Sequence, residues 1–327
     1  MSKRFSVEQY TEAILAGDRV MLARAITLIE STLPKDQELS QQLLTSILPA
    51  TGKSIRIGIT GVPGVGKSTF IEQFGLLMLE RTQKKLAVLA IDPSSSRSRG
   101  SILGDKTRME QLSLHPKAYI RPSPAGATLG GTAQKTRETM LLCEAAGFEI
   151  IFVETVGVGQ SETAVKAMTD FFLLLMLAGA GDELQGIKKG IMEMADMLVI
   201  TKADGENKHK ASLARAEYEG ALHLFRRTEA WQVPVLTCSA LQKEGLEEII
   251  TGINKYFTFS QDTGLFEEKR LAQQIGWFRE SLHNGILAKF YQEKVFVQMI
   301  EKAEKAIIEQ EKEAFLAAQE ILKKINF

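Results

Sequence analysis

The stretch that decides the fold of this 327-residue chain reads Gly61-Val62-Pro63-Gly64-Val65-Gly66-Lys67-Ser68-Thr69. It matches the pattern G-x-x-x-x-G-K-[ST], and a strand-like run before it and a helix-compatible run after it supply the expected context. Glycines let backbone N–H groups turn inward around a phosphate, which larger side chains would obstruct. The pattern therefore predicts a phosphate-binding loop. Every residue of the stretch except Val62 is a candidate contact, with Lys67 on the β- and γ-phosphates and Ser68 on Mg²⁺.

Apolar runs alternate with helix-compatible runs from residue 54 to about residue 257. The predicted strands are 54–60, 86–91, 117–121, 149–154, 170–177, 196–201 and 233–238. Helices are predicted near 67–82, 105–113, 132–146, 162–168, 187–194, 206–228 and 244–256. This alternation is typical of a mostly parallel sheet flanked by helices, with ligands beyond the carboxyl ends of the strands. The predicted fold class is therefore α/β, a P-loop NTPase with helical extensions at both ends.

Two acidic residues follow predicted core strands. Asp92 comes after strand 86–91, and Glu154 comes where P-loop enzymes place an acid that holds the Mg²⁺ shell. Gly157, just beyond, begins a flexible segment suited to act as a switch. Either acid alone could be a solvated loop residue, and Asp105 is explained equally well as a helix N-cap.

The base is predicted from two loops that follow the last strands. Lys202 and Asp204 belong to a Thr-Lys-x-Asp tetrapeptide whose carboxylate can accept both guanine N1–H and the 2-amino group. The Lys202 stem would lie along the base. The loop Ser239-Ala240-Leu241 would bind the guanine carbonyl oxygen through backbone N–H groups. The tetrapeptide alone could be a surface loop, but together with the phosphate loop these motifs predict GTP and GDP as ligands, with Mg²⁺.

The two ends of the chain are predicted to be helical. We divide the sequence into an N-terminal helical extension at 1–52, a G domain at 53–258 and a C-terminal helical dimerisation arm at 259–327. Residues 6–50 read as two or three short helices in which Ser6 and Asp18 are candidate N-caps. The arm carries an apolar stripe that must either pack on the main domain or pair with a second subunit, and pairing is the favoured alternative.

The bulk composition argues against several classes of partner. Lys plus Arg and Asp plus Glu are each 40, so no net charge favours nucleic acid or an anionic membrane surface. The most apolar run, 171–178, is far shorter than the ~20 residues of a membrane span. Cys143 and Cys238 are too few for a disulfide framework. We expect a cytoplasmic protein that binds neither nucleic acid nor membrane.

Longer runs resemble one family, the GTPases associated with methylmalonyl-CoA mutase, also called ArgK-like. The matching runs begin with Ile91-Asp92-Pro93-Ser94-Ser95, Gly100-Ser101-Ile102-Leu103-Gly104-Asp105-Lys106-Thr107-Arg108-Met109 and Arg121-Pro122-Ser123-Pro124. They continue with Val153-Glu154-Thr155-Val156-Gly157-Val158-Gly159-Gln160-Ser161-Glu162 and Gly179-Ala180-Gly181-Asp182-Glu183-Leu184-Gln185-Gly186-Ile187-Lys188. Such runs are far more specific than the general GTPase motifs.

The resemblance implies a homodimeric GTPase that acts as a chaperone for an adenosylcobalamin-dependent acyl-CoA mutase. It would gate delivery of the cofactor and protect the mutase. By position, the resemblance assigns Asp92, Asp105 and Glu154 to the metal and the catalytic water. It assigns residues 178–188 to a further switch that communicates with the mutase.

Some features depart from related patterns and leave alternatives open. Thr201 stands in place of the commoner Asn and should weaken a tie to the phosphate loop. Gln160 lies three residues beyond Gly157 rather than next to it, which predicts slow hydrolysis that awaits a partner. A metallochaperone GTPase for a nickel or cobalt enzyme is one alternative, although no His-rich tract or CxxC is present. A P-loop kinase acting on a small molecule or a protein is the other.

Overall fold

The structure, a computed structural model, describes residues 5–91, 109–122, 129–155, 161–179, 189–223 and 231–324. The chain divides into two compact units, Met1–Arg270 and Leu271–Phe327. Asp92, Asp105 and Gly157 lie outside the described residues, as does most of the segment 178–188.

Seven strands are described in the first unit. They are β1 (Ile55–Gly61), β2 (Leu86–Ile91), β3 (Ala118–Arg121), β4 (Ile150–Thr155), β5 (Phe171–Leu177), β6 (Met197–Thr201) and β7 (Val235–Thr237). They form one sheet in the order β3-β2-β4-β1-β5-β6-β7, and every pairing is parallel. The predicted α/β fold with a parallel sheet is confirmed. Strand β1, which leads into the phosphate loop, lies in the middle of the sheet.

Helices precede, connect and follow the strands. The described helices are α1 (Val7–Leu15), α2 (Arg19–Glu30), α3 (Pro34–Ile47), α4 (Lys67–Thr82), α5 (Glu110–Leu114), α6 (Leu129–Ala145), α7 (Ser161–Lys166), α8 (Lys189–Met194), α9 (Asn207–His223), α10 (Leu246–Asp262), α11 (Leu265–Gln292), α12 (Lys294–Ile308) and α13 (Ala314–Lys324). The predicted helix at 206–228 is described only as far as His223, because residues 224–230 lie outside the described ranges. No helix in the described part of the chain is both long enough and apolar enough to span a membrane.

The central strands are buried on both faces, which explains why they read as continuous apolar runs. Helix α7 and the turn that follows it lie so close to β1 that a Cβ on Gly58 would stand 2.7 Å from Val165 Cγ1 and 2.8 Å from Thr169 Oγ1. Only glycine permits this approach. The residue type at position 58 therefore determines how near α7 comes to the strand that carries the phosphate loop.

The N-terminal helices pack on the main sheet domain rather than standing apart. Ser6 caps α1 in a capping box, and the Asp18 carboxylate accepts hydrogen bonds from the first turn of α2, as predicted for both residues. Helices α2 and α3 contact α6. The Glu30 carboxylate, at the end of α2, accepts a hydrogen bond from Arg121 Nε on β3 at 3.2 Å. The first unit therefore includes these helices as part of its core.

The amino edge of the sheet carries a buried charged network. Arg270, in the first turns of α11, donates to the Asp170 carboxylate at 2.8 Å and to the Gly52 carbonyl at 2.6 Å. Asp170 also accepts from the Arg56 backbone N–H at 2.9 Å. Because Asp170 directly precedes β5 and Arg56 lies in β1, one guanidinium holds the beginnings of two central strands.

Candidate nucleotide site

The phosphate loop contains backbone conformations and spacings that require glycine. Gly66 has φ +86°, in the left-handed region that L side chains rarely adopt. A Cβ on Gly61 would stand 2.5 Å from the Leu175 carbonyl oxygen of β5, closer than real Cβ contacts allow. Pro63 and Gly64 are exposed and Val65 is buried. The loop therefore leaves the carboxyl end of β1 in a turn that presents its backbone to solvent.

Lys67 is the first residue of α4, and its Nζ donates to the Gly61 carbonyl at 3.0 Å. Partial burial lowers the pKa of this ammonium group, and the carboxylates of Glu154 and Glu162 oppose that effect. Ser68 and Thr69 follow in the first turn of α4, where Ser68 is half-buried and Thr69 is exposed. The ammonium group is thus held at the base of the loop by the Gly61 carbonyl, and both carboxylates favour its charged form.

Glu154 lies near the end of β4, directly beside Ile59 of β1 in the parallel pairing. Its side chain is buried, with 4% exposed. The next residue, Thr155, shares a 2.8 Å hydrogen bond between hydroxyls with Thr60 of β1. A buried carboxylate on β4 therefore lies level with Ile59, two residues before β1 ends at Gly61 and leads into the phosphate loop.

Sequence reasoning gave no role to a second acid, Glu162, which lies in the first turn of α7 and is 2% exposed. The signal was present in the helical spacing. Glu162 and Val165 are three residues apart in α7, and Val165 touches β1 at Gly58. A stripe with that spacing predicts that Glu162 also faces the strand.

The two predicted base loops are joined to each other. The Ser239 hydroxyl donates to the Asp204 carboxylate, and the Ala203 backbone N–H donates to the Cys238 carbonyl at 3.0 Å. Lys202 has φ +56°, and its Cε lies 3.8 Å from the place where a Cβ on Gly66 would stand. The Lys202 stem therefore passes over the phosphate loop, which brings the base loops and the phosphate loop to one place.

A third contact joins the same regions. The Thr201 hydroxyl donates to the Val65 carbonyl at 2.8 Å and also lies 3.3 Å from the Met176 carbonyl. The hydroxyl thus forms the tie to the phosphate loop that was expected to be weaker without the commoner Asn.

The loop after β7 is closed by an antiparallel bridge between Ser239 and Glu244. The Ser239 hydroxyl accepts from the Gln242 backbone N–H at 3.1 Å. Within the loop Ala240 is half-buried, while Leu241 is 76% exposed. The 239–241 loop therefore lies beside Asp204, with Leu241 open to solvent.

The predicted metal site is only partly within the described residues. Of its predicted ligands, Ser68 and Glu154 are described, while Asp92 and Asp105 are not. Hydroxyl and carboxylate oxygens are the donors that Mg²⁺ prefers. Within the described ranges no group of three or more His, Cys, Asp and Glu side chains could hold a metal ion. The two described donors have the chemistry that Mg²⁺ requires.

Comparison with known proteins identifies relatives across most of the chain. The profile of a family described as methylmalonyl Co-A mutase-associated GTPase MeaB matches residues 22–295. GTPase ArgK of Escherichia coli is 50% identical over 281 residues, which cover 86% of this chain and 85% of that protein. A mitochondrial protein of Mus musculus, the methylmalonic aciduria type A homolog, is 46% identical over 299 residues, covering 88% of this chain and 72% of that protein.

A solved structure, described as that of a LAO/AO transport system kinase, is also similar. It has a TM-score of 0.77 and 39% identity, and the match covers 99% of this chain and 98% of that one. With the parallel sheet and the P-loop, these comparisons define the class: the chain is a P-loop GTPase. It belongs to the methylmalonyl-CoA mutase-associated GTPase family.

Proposed function

We propose that this GTPase is a chaperone for an adenosylcobalamin-dependent acyl-CoA mutase, with methylmalonyl-CoA mutase as the first candidate. GTP hydrolysis would gate delivery of adenosylcobalamin to the mutase and protect the enzyme. The observation that carries the guanine part is that Asp204 accepts a hydrogen bond from Ser239 of the neighbouring base loop while the Lys202 stem passes over Gly66 of the phosphate loop. The mutase part is supported by the description of the matching family.

In this proposal the nucleotide lies across the carboxyl edge of the sheet. Asp204 accepts from the guanine N1–H and 2-amino group, and the 239–241 loop binds the guanine carbonyl through backbone N–H groups. Lys67 contacts the β- and γ-phosphates. Ser68, Asp92, Asp105 and Glu154 would hold Mg²⁺, which when bound neutralises charge on the phosphate oxygens.

Each of the three parts of the chain would have its own role. Residues 53–258 bind and hydrolyse GTP, 1–52 are a helical extension, and 259–327 form a dimerisation arm. Exposed apolar residues on α11 support pairing of the arm: Leu271, Ile275, Phe278 and Leu282 are 59%, 44%, 66% and 52% exposed. Their spacing of four, three and four residues is that of a coiled-coil seam.

The cytoplasm is the compartment that we propose. Cys143 and Cys238 are free and buried, which suits a reducing environment.

The test combines partner capture with measurement of the reaction. The tagged protein is mixed with methylmalonyl-CoA mutase and with isobutyryl-CoA mutase, and the GTPase rate is measured with and without each. We expect one mutase to co-purify and to change the rate. Lys67→Ala should lose nucleotide binding, while Glu154→Ala should bind nucleotide and lose turnover.

Other outcomes identify the alternative functions. Phosphate transferred to an acceptor, rather than released, would identify a kinase. Capture of neither mutase, with a rate changed only by a nickel or cobalt enzyme, would identify a metallochaperone.

A further inference from the structure

Lys202 holds a backbone conformation that L-amino acids rarely adopt. Its φ is +56°, and it directly follows Thr201, the last residue of β6. Gln83 and Gln310 also have positive φ values, but both lie at the ends of helices, where a left-handed residue is common. Lys202 instead follows a strand, and a residue in this region persists only where its surroundings hold it there. The bend at Lys202 therefore needs contacts that fix it.

Asn207, the first residue of α9, supplies such a contact. Its side-chain amide donates a hydrogen bond to the Lys202 carbonyl at 2.7 Å, and its backbone N–H donates to the Asp204 carbonyl at 3.0 Å. Between those two carbonyls, the Ala203 N–H donates to the Cys238 carbonyl at 3.0 Å. The bend is thus held from α9 as well as from the loop after β7.

The direction of the side-chain bond separates it from ordinary helix capping. An Asn that caps a helix accepts hydrogen bonds from N–H groups of the first turn. The Lys202 carbonyl can only accept, so the Asn207 group beside it must be the NH₂ donor. An Asp at position 207 would have nearly the same shape but no donor, and its carboxylate would repel the carbonyl. The side chain of Asn207 therefore acts on the base tetrapeptide as well as on α9.

The bend sets the direction in which the Lys202 side chain leaves the backbone. Its Cε lies 3.8 Å from the place where a Cβ on Gly66 would stand, so the stem passes over the phosphate loop. Relaxation of φ to the negative values that L-residues prefer would turn the stem away from Gly66. The contact between Asn207 and the Lys202 carbonyl therefore bears on where the stem lies.

We propose that Asn207 is a positioning residue for the guanosine part of the nucleotide. Its amide holds the left-handed bend at Lys202, and the bend keeps the Lys202 stem where it can lie along the base. The inference rests on the proposed assignment of Lys202 and Asp204 to the base site. Asn207 acts through Lys202 and needs no contact with the nucleotide.

The test measures nucleotide affinity and stability in the same variants. Dissociation constants for GDP and for a non-hydrolysable GTP analogue are measured by calorimetry with Mg²⁺, and unfolding is followed in urea. Asn207→Asp removes the donor, and we expect both nucleotides to bind at least about fivefold more weakly, the effect of one lost hydrogen bond. Because an acid in the first turn of a helix is favourable, this variant should unfold at an unchanged or higher urea concentration.

Three further variants separate the donor from charge and from general disturbance. Asn207→Ala removes the donor without adding a charge and should show a similar loss of about fivefold. Asn254→Ala alters an exposed Asn of α10 and should bind both nucleotides as the wild type does. Lys202→Ala removes the stem, so adding Asn207→Ala in that background should weaken binding by less than about twofold.

Wild-type affinity in both Asn207 variants would overturn the inference, and so would a full, additive loss in the Lys202→Ala background. A loss confined to Asn207→Asp would be an effect of charge, and a lower urea midpoint in that variant would mark a role in α9 alone; either would overturn it as well. Failure of the proposed base site has a different signature. In that case Lys202→Ala and Asp204→Asn would bind GDP and the GTP analogue as tightly as the wild type.

Discussion

The Thr201 hydroxyl on β6 donates a 2.8 Å hydrogen bond to the Val65 carbonyl in the phosphate loop. Thr201 opens the tetrapeptide proposed to read the base, and Val65 lies in the loop proposed to hold the phosphates. The Thr201 side chain is buried, with 3% of the residue exposed. This buried hydrogen bond therefore ties the proposed base loop to the phosphate loop, together with the Lys202 stem that passes over Gly66.

Replacing Thr201 with Val should remove this tie while keeping the shape of the side chain. The Val65 carbonyl would be left without its partner, at a cost of about 1–3 kcal/mol. We expect a similar loss in nucleotide affinity, about tenfold, for both GDP and GTP because the base and phosphate contacts lose their register. Calorimetry checks this. Thr251→Val, which alters a hydroxyl bonded within helix α10, is the control and should bind normally.

Replacing Asp204 with Asn should exchange the preferred base. The amide can donate to the 2-oxo group of xanthine, whereas guanine loses two charge-assisted hydrogen bonds worth about 1.5–3 kcal/mol each. We expect GTP affinity to fall by about 10²–10⁴-fold and xanthosine triphosphate to bind more tightly than GTP. Competition binding measures the preference, and exposed Asp262→Asn is the matched control. Undiminished GTP binding would remove Asp204 from the base site.

The ion pair between Asp170 and Arg270 should contribute strongly to stability. The two side chains are 1% and 14% exposed, and removing one partner of a buried pair typically costs about 3–5 kcal/mol. Asp170→Asn should therefore lower the free energy of unfolding of the first unit by that amount. Urea denaturation measures it. Arg215→Ala breaks an exposed pair with Glu219 and should cost less than about 1 kcal/mol. Equal losses in both variants would contradict the prediction.

Stability should fall at alkaline pH through Cys238. Burial raises the pKa of its thiol from 9.0 to about 12. Because the folded state retains the proton more strongly, this contribution is complete below pH 9 and is lost as the pH rises toward 12. The free energy of unfolding should therefore decline more steeply above pH 9 in the wild type than in Cys238→Ala. Parallel declines measured between pH 8 and 11 would show that the thiol is not protected in the folded state.

Features encoded by neighbouring residues were predictable from the sequence. The glycine pattern before Lys67 identified the phosphate loop, and apolar runs identified all seven described strands. The N-caps at Ser6 and Asp18 were equally local. Each depends on backbone preference or on side-chain periodicity within one or two turns, and such preferences are written in the chain itself.

Contacts between distant residues needed the folded chain. Thr201 and Val65 are 136 residues apart, and Asp170 and Arg270 are 100 apart. Thr201 meets Val65 because β6 is separated from β1 by β5, and Arg270 meets Asp170 because α11 passes the start of β5; local patterns encode neither arrangement. In the sequence Glu162 is an ordinary helical acid, and only the packing of α7 on β1 shows that its side chain is buried. Sequence alone determined the elements and the chemistry at their ends, while the order of the strands decided which side chains share a site.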